Sequence, residues 1–288
     1  MTNEVQLFHM QVIGQFFNTV FFNPILNLLV GFYQLFNYVK LPGSFGFSII
    51  ALTLFVRGLL HPFFKQQMDT AKKMQEMKPH LDKLQDKHKK DPKKLQEEQL
   101  KLYQQAGINP ASGCLFMIIQ MPVFIALYQV LGKFLEINLP KTIMQINGAL
   151  YFSFLKINTI DPWFFGINLA TTPEKGGNMF YYLVPVITAI LQYFQVQTAT
   201  PAAPSTSAVE ERSGKTAEVN GGKDKKNDGG DFQKAMNTQM KYIFPLMIGW
   251  FSMRMPLGLS LYWNIFSLFS IIQYKRIQVN KPVNKLTG

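Results

Sequence analysis

Four blocks of this chain are apolar enough, over enough residues, to leave water altogether, and they alternate with polar blocks crowded with lysine. About 20 apolar residues in a helix cross the roughly 30 Å hydrocarbon core of a bilayer. Phe45 to Phe64, Cys114 to Leu131 and Phe180 to Val196 are each about one span long by that measure. The fourth block, Tyr242 to Ile272, is too long for one upright helix at about 1.5 Å per residue. It is interrupted by Met255, Pro256, Leu257 and Gly258 and reads as a tight hairpin of two spans. Charged residues make up only 16% of the chain, against about 25% in an ordinary soluble domain. The expected class is an all-α integral membrane protein.

Charge asymmetry fixes the expected topology, because Lys and Arg collect in cytoplasmic loops. Eleven Lys lie between Lys65 and Ala111, seven Lys or Arg between Thr198 and Lys241, and four after Gln273. By contrast the first 44 residues hold one, Lys40, and the stretch from Phe134 to Asn178 holds three. Placing the three basic regions in the cytoplasm requires two spans between the first pair and two between the second. The total is five, with the N-terminus outside and the C-terminus inside. The expected divisions are an extracytoplasmic segment 1–44, a first span 45–64, a cytoplasmic hairpin 65–111, a second span 112–133, an extracytoplasmic segment 134–179 and a third span 180–197. A linker 198–237, a paired fourth and fifth span 238–273 and a basic tail 274–288 complete them.

The segment Val20 to Phe36 is also hydrophobic, but Asn23, Asn27, Gln34 and Asn37 fall in one arc of roughly 80° at 100° per residue. That pattern predicts an amphipathic helix lying in the outer interface. A signal peptide is disfavoured, since no Lys or Arg precedes Lys40.

In the first cytoplasmic block, Met74, Met77, Leu81 and Leu84 recur at spacings of three and four and predict a narrow apolar seam on a charged helix. Asp91 and Pro92 supply an N-cap followed by Pro at the first helical position. A second helix is expected over Lys93 to Ala106, ended by Gly107 and Pro110. Thr198 to Asp231 is rich in Gly, Pro, Ser and Ala and is expected to be disordered.

Arg57 is the one charge well inside a predicted span, and an Arg at a helix centre costs about 2.5 to 3.5 kcal/mol on insertion scales. Snorkelling to water is one explanation, since Arg57 lies seven residues before Phe64, about 10 Å by helical rise. The other is a functional pocket. Thr53 sits one turn away on the same face, and the remaining spans carry Gln120, Gln129, Gln192, Gln195, Ser260, Asn264 and Ser267. Polar groups at that density face one another or water. No carboxylate lies within a span to neutralise Arg57, so the charge is expected to be unpaired and to point into a hydrated pocket.

Enzymatic readings fail on inventory: the chain has no HExxH, no intramembrane Asp pair, no nucleophile elbow and no phosphate-binding Gly loop. The single Cys, Cys114, excludes a disulfide framework. His80 and His88 are expected to be solvated on the charged hairpin, and His61 to serve the end of the first span. No catalytic residue, metal or cofactor is expected. A small-solute or anion channel using Arg57 is the alternative from another class, although no repeated halves of the transporter kind are visible.

The runs FSIIALTLFVRGLLHPFFKQQM, INPASGCLFMIIQMPVFIALYQVL and PLGLSLYWNIFSLFSIIQ, in that order around the Lys-rich hairpin, resemble the signature segments of the YidC membrane protein insertase family. The resemblance covers roughly Phe45 to Gln273. It departs from many members in showing no large extracytoplasmic domain and no lipoprotein-type signal, and in its long linker; it looks like a short bacterial form. It implies five transmembrane helices around a hydrophilic groove open to the cytoplasm and to lipid, in the bacterial plasma (inner) membrane. Carried over by position, Arg57 matches the groove arginine, Thr53 a polar neighbour, and Tyr262 with Trp263 the aromatic pair of the last span. Gln120, Gln192 and Asn264 are added from their place in the spans. The implied partners are nascent membrane proteins and the lipid bilayer, with the ribosome, the signal recognition receptor and the Sec translocon as further contacts and DNA excluded.

Overall fold

A computed structural model of the chain describes residues 11–88, 91–107, 112–134, 139–199 and 239–280. Most of the 198–237 linker, with its expected disorder, and the end of the basic tail lie outside the described residues. The described chain is nearly all-α. In order it contains α1 (Gln11–Tyr38, with a π-helical turn at Asn18–Phe22), α2 (Ser44–Leu59), α3 (His61–Glu76), α4 (Lys78–Lys87) and α5 (Pro92–Gln105). There follow α6 (Ser112–Phe134), α7 (Leu139–Gly148), a two-residue β-hairpin of β1 (Trp163–Phe164) and β2 (Ile167–Asn168), α8 (Phe180–Ala199), α9 (Phe244–Met253) and α10 (Leu257–Asn280).

Among the described residues α1 alone is by itself long and apolar enough to cross a membrane, and α2 with α3 meet that measure only as a pair bent by 70°. For two of the helices that charge assigns, composition or length is the reason. Gln192, Gln195 and Pro185 dilute α8, and α9 has only ten residues. The bend after Leu59 has a local cause: Pro62, in the first turn of α3, has no N–H to continue the ladder back to Gly58. The helix bearing Arg57 thus ends five residues before the expected Phe64. At the other end of the chain α10 runs on past Gln273 to Asn280, since nothing before Pro282 breaks it.

The helices pack so that irregular segments gather at one pole. There Asn27 of α1 donates to the Ala149 carbonyl at 3.1 Å and accepts from the Tyr151 N–H at 2.7 Å, while Gln34 donates to the Lys156 carbonyl at 2.7 Å. The Asp161 N–H donates to the Tyr33 hydroxyl at 3.0 Å. At the start of α10, the Leu257 and Gly258 N–H groups donate to Thr171 and Leu169 carbonyls at 3.0 and 2.9 Å. The opposite pole joins the α2/α3 bend to the end of α10, through Gln273 with His61 at 2.9 Å and Tyr274 with Gln75 at 2.7 Å. Segments that charge assigns to one side of the membrane thus meet at one end of the molecule.

Two residues of the polar arc on α1, Asn27 and Gln34, are therefore occupied by the 149–156 backbone instead of facing headgroups. Each buried backbone group left without its partner costs about 1–3 kcal/mol. Asn27→Leu should accordingly lower the thermal midpoint in detergent by several degrees, whereas Asn37→Leu, exposed on the same arc, should not. Equal behaviour of the two variants would return the arc to a solvent or headgroup role.

In the lysine-rich arm α4 packs on α5. Met77 and Leu81 are buried and Met74 and Leu84 half-buried along the predicted seam. The helix is interrupted at Met77, because Pro79 opens α4. Asp91 caps α5, accepting from the Lys94 N–H at 3.1 Å, and Gly107 ends it at φ 63°. Outside the bundle, α8 and α9 present Leu183, Val186, Ile190, Phe194, Leu246 and Trp250 as exposed apolar residues. They approach each other closely: a Cβ on Gly249 would come within 2.7 Å of the Ala189 Cβ.

Candidate functional site

Arg57 reaches the inner face of the bundle in the last turn of α2 and is only 3% exposed. Its guanidinium donates to the Gln273 Oε1 at 3.3 Å, to the Phe266 carbonyl at 3.1 Å and to the Ser270 hydroxyl. The rings of Phe266 and Phe64 lie 3.8 and 4.2 Å from its central carbon, with Phe269 at 5.4 Å. All three hydrogen-bond partners are on α10, so the cation ties α2 to the last helix. Among the described residues no carboxylate is in ion-pair range of it. The expectation of an unpaired charge in an open wet pocket is corrected in this conformation: neutral oxygens and aromatic faces hold the guanidinium, and only its Nε lacks a partner.

Thr53 is also buried, one turn earlier, and its hydroxyl donates to the Ile49 carbonyl of its own helix at 2.6 Å. From α6, Gln120 donates to the Tyr262 hydroxyl at 3.0 Å. Tyr262 is buried with its ring 5.9 Å from Phe266, the residue against which Arg57 lies. Trp263 stacks on Phe124 of α6 at 5.2 Å with the ring planes 7° apart. Arg57, Thr53, Gln120, Tyr262 and Trp263 are thus brought around one stretch of α10.

The remaining polar residues do not join that cluster. Ser260, Asn264 and Ser267 form a stripe roughly a third of a turn around α10 from Phe266, Ser270 and Gln273, at 100° per residue. Ser260 is engaged by Ser252 of α9 at 2.6 Å. The Asn264 Oδ1 and the Ser267 hydroxyl are buried with no partner among the described residues. Gln192 is buried on α8, which packs against both α9 and α10. α10 therefore carries two polar faces.

Sequence reasoning missed Phe64, Ser270, Gln273 and His61 as partners of this cluster. The spacing of Phe266, Ser270 and Gln273 at four and three residues carried the signal, but only to a reader who already knew which face of α10 meets Arg57.

Residues 35–284 match the family described as the 60Kd inner membrane protein. Among similar proteins, an inner membrane ALBINO3-like protein 2 of the chloroplast of Chlamydomonas reinhardtii is 30% identical over 250 residues, covering 85% of this chain and 52% of that protein. A membrane protein insertase YidC of Oceanobacillus iheyensis is 28% identical over 270 residues, covering 92% of this chain and 84% of that one. A shorter and stronger match, 44% over 118 residues, is to the membrane protein insertase YidC of Caulobacter vibrioides. The chain spans 52% and 42% of the two ALBINO3-like relatives from Chlamydomonas, about half their length.

Proposed function

This chain belongs to the 60Kd inner membrane protein family, and on that premise we propose that it is a membrane protein insertase, passing apolar segments and short polar tails of nascent proteins into the bilayer. α2, α6, α8, α9 and α10 are the five spans in this reading, with the N-terminus outside, the C-terminus and the α3 to α5 arm in the cytoplasm. The exposed apolar faces of α8 and α9 support it, since residues of that kind are inside when water is the solvent. α1 packs against α2 at the outer side of this arrangement.

The observation that carries the function is a buried cation satisfied by neutral acceptors alone. A polar tail crossing hydrocarbon loses its hydrogen bonds to water, at several kcal/mol for each group left unpaired. Arg57 offers such a tail a fixed charge partway across. A carboxylate is a stronger acceptor for a guanidinium than a hydroxyl or amide oxygen, so an acidic residue entering between α2 and α10 can displace Ser270 and Gln273. The orphaned Asn264 Oδ1 and Ser267 hydroxyl supply acceptor capacity on the adjoining face. Lateral separation of the helices then lets the apolar segment leave into lipid.

Depletion of the protein in its host, followed by a pulse assay of short-tailed membrane proteins, tests this reading. Those proteins should accumulate uninserted, and normal insertion would overturn it. Topology is tested separately with single Cys residues in a Cys114→Ala background. Positions 158 and 172 should react with an impermeant thiol reagent from outside, and positions 85, 213 and 284 should not. External labelling at 213 would overturn the five-span arrangement. The ribosome, the signal recognition receptor and the Sec translocon are the proposed cytoplasmic and membrane contacts. Lys275 and Arg276, exposed on the last turns of α10, face the side from which ribosomal phosphates would approach, and such contact should weaken steeply with salt.

A further inference from the structure

The β1/β2 hairpin is built against the usual sterics of its turn. Phe165 and Gly166, the two residues between the strands, both have positive φ, at 47° and 81°. Two-residue hairpin turns of this kind favour Asn or Asp followed by Gly. Gly166 fits that pattern, but Phe165 puts a bulky side chain where left-handed backbone makes it a genuine outlier. The ring is not repaid by burial in the protein: it is 78% exposed, and Trp163 beside it is 51% exposed.

The hairpin is nevertheless held firmly. Phe164 lies in a notch at the start of α2 that exists because Gly43 and Gly46 have no side chain, since a Cβ at either would come within 2.8 and 2.2 Å of the Phe164 ring. From that clamp Phe164 and Phe165 both meet Phe47, at 5.3 and 6.0 Å, and Phe47 meets Phe36 of α1 at 6.2 Å. The exposed Tyr38 and Lys40 follow directly at the end of α1. Rings of Trp, Tyr and Phe with a Lys at one level, beside the ends of two apolar helices, match the composition of a membrane interface, where an aromatic body sits in lipid and a polar tip in water.

We infer that the Trp163–Asn168 hairpin is a lipid-binding wedge, inserting Phe165 and Trp163 into the interfacial layer of the outer leaflet beside α1 and α2. This rests on the membrane arrangement proposed above. The occupant is the headgroup and upper acyl region of a phospholipid bilayer, which explains an exposed, strained aromatic as no aqueous loop does.

The test uses the full chain in a Cys114→Ala background, reconstituted in phosphatidylethanolamine/phosphatidylglycerol vesicles. An environment-sensitive fluorophore is placed in turn at Phe165→Cys, Trp163→Cys, Leu54→Cys and Lys175→Cys. Leu54 is exposed midway along α2 and reports on the span, whereas Lys175 reports on the aqueous side. Lipids brominated near the headgroup should quench labels at 165 and 163, lipids brominated deep in the acyl chain should quench the label at 54, and neither should quench that at 175. Quenching at 54 with labels at 165 and 163 open to aqueous iodide would overturn the wedge and leave the membrane reading intact. No lipid quenching at any position would overturn both. Having two wedge positions guards against the cysteine at 165 relaxing the turn.

Discussion

Arg57→Ala should abolish most insertion of substrates with acidic tails, whereas Arg57→Lys should retain much of it. Energetics decide how much stability is lost with the charge. Hydrogen bonds to a charged group contribute about 1.5–3 kcal/mol each, and the faces of Phe64 and Phe266 add about 0.5–2 kcal/mol as cation–π contacts. Against these stands the cost of the buried charge itself, about 2.5–3.5 kcal/mol on insertion scales. Three such bonds and the ring contacts together outweigh that cost, so removing Arg57 should lower stability as well as remove the fixed charge, and retained insertion by Arg57→Lys separates the two effects. A snorkelling Arg predicts no defect in any neutral variant. A bidentate anion site predicts failure of Arg57→Lys, since an ammonium lacks the planar fork. Insertion is to be measured at matched membrane abundance with acidic-tailed and neutral-tailed versions of one substrate. Equal insertion of the two by Arg57→Ala would remove the electrostatic part of the mechanism.

The same residue marks how far sequence reaches. That Arg57 is a charge inside an apolar run, lies on a face with Thr53 and has no carboxylate in the spans to pair with can be read from spacing and inventory. That Phe266, Ser270 and Gln273 receive it depends on the rotation of α10 against α2, a tertiary quantity with no local signature. The split of the polar residues over two faces of α10 was hidden for that reason. Punctuation was more legible. Asp91 with Pro92, Gly107 and the 255–258 interruption each act within a few residues, and the structure has a cap, a helix end and a break there. Pro62 was visible too, but its consequence, a 70° bend that separates Arg57 from the arm, required weighing a missing N–H against a continuing apolar run. Asn27 and Gln34 show the opposite failure. Their helical arc was real, yet periodicity does not distinguish headgroups from a loop backbone as the partner of a polar face.

Replacing residues 78–105 by a flexible linker of equal length should leave the bundle folded and remove the larger part of insertion. α3 packs on α6, α8 and α10, whereas α4 and α5 pack chiefly on each other. Keeping Gln75 preserves its bond from Tyr274, so the loss of α4 and α5 should move the thermal midpoint in detergent little. The arm that is removed holds Leu81, which forms a seam with Met77 inside a lysine-rich surface. Such a surface can attract an acidic or phosphate-bearing partner over roughly a Debye length, about 8 Å at physiological salt. A flexible linker with the same number of lysines separates charge from order. If the ordered hairpin receives the nascent chain, the charged linker should remain defective. The double variant Met77→Lys, Leu81→Lys should share that defect, since it opens the seam while adding charge. Asp91→Ala, which loses a cap worth about 1 kcal/mol, should show a smaller defect that grows with temperature. Full activity of the charged linker would make α4 and α5 a tethered patch of lysines whose fold is dispensable.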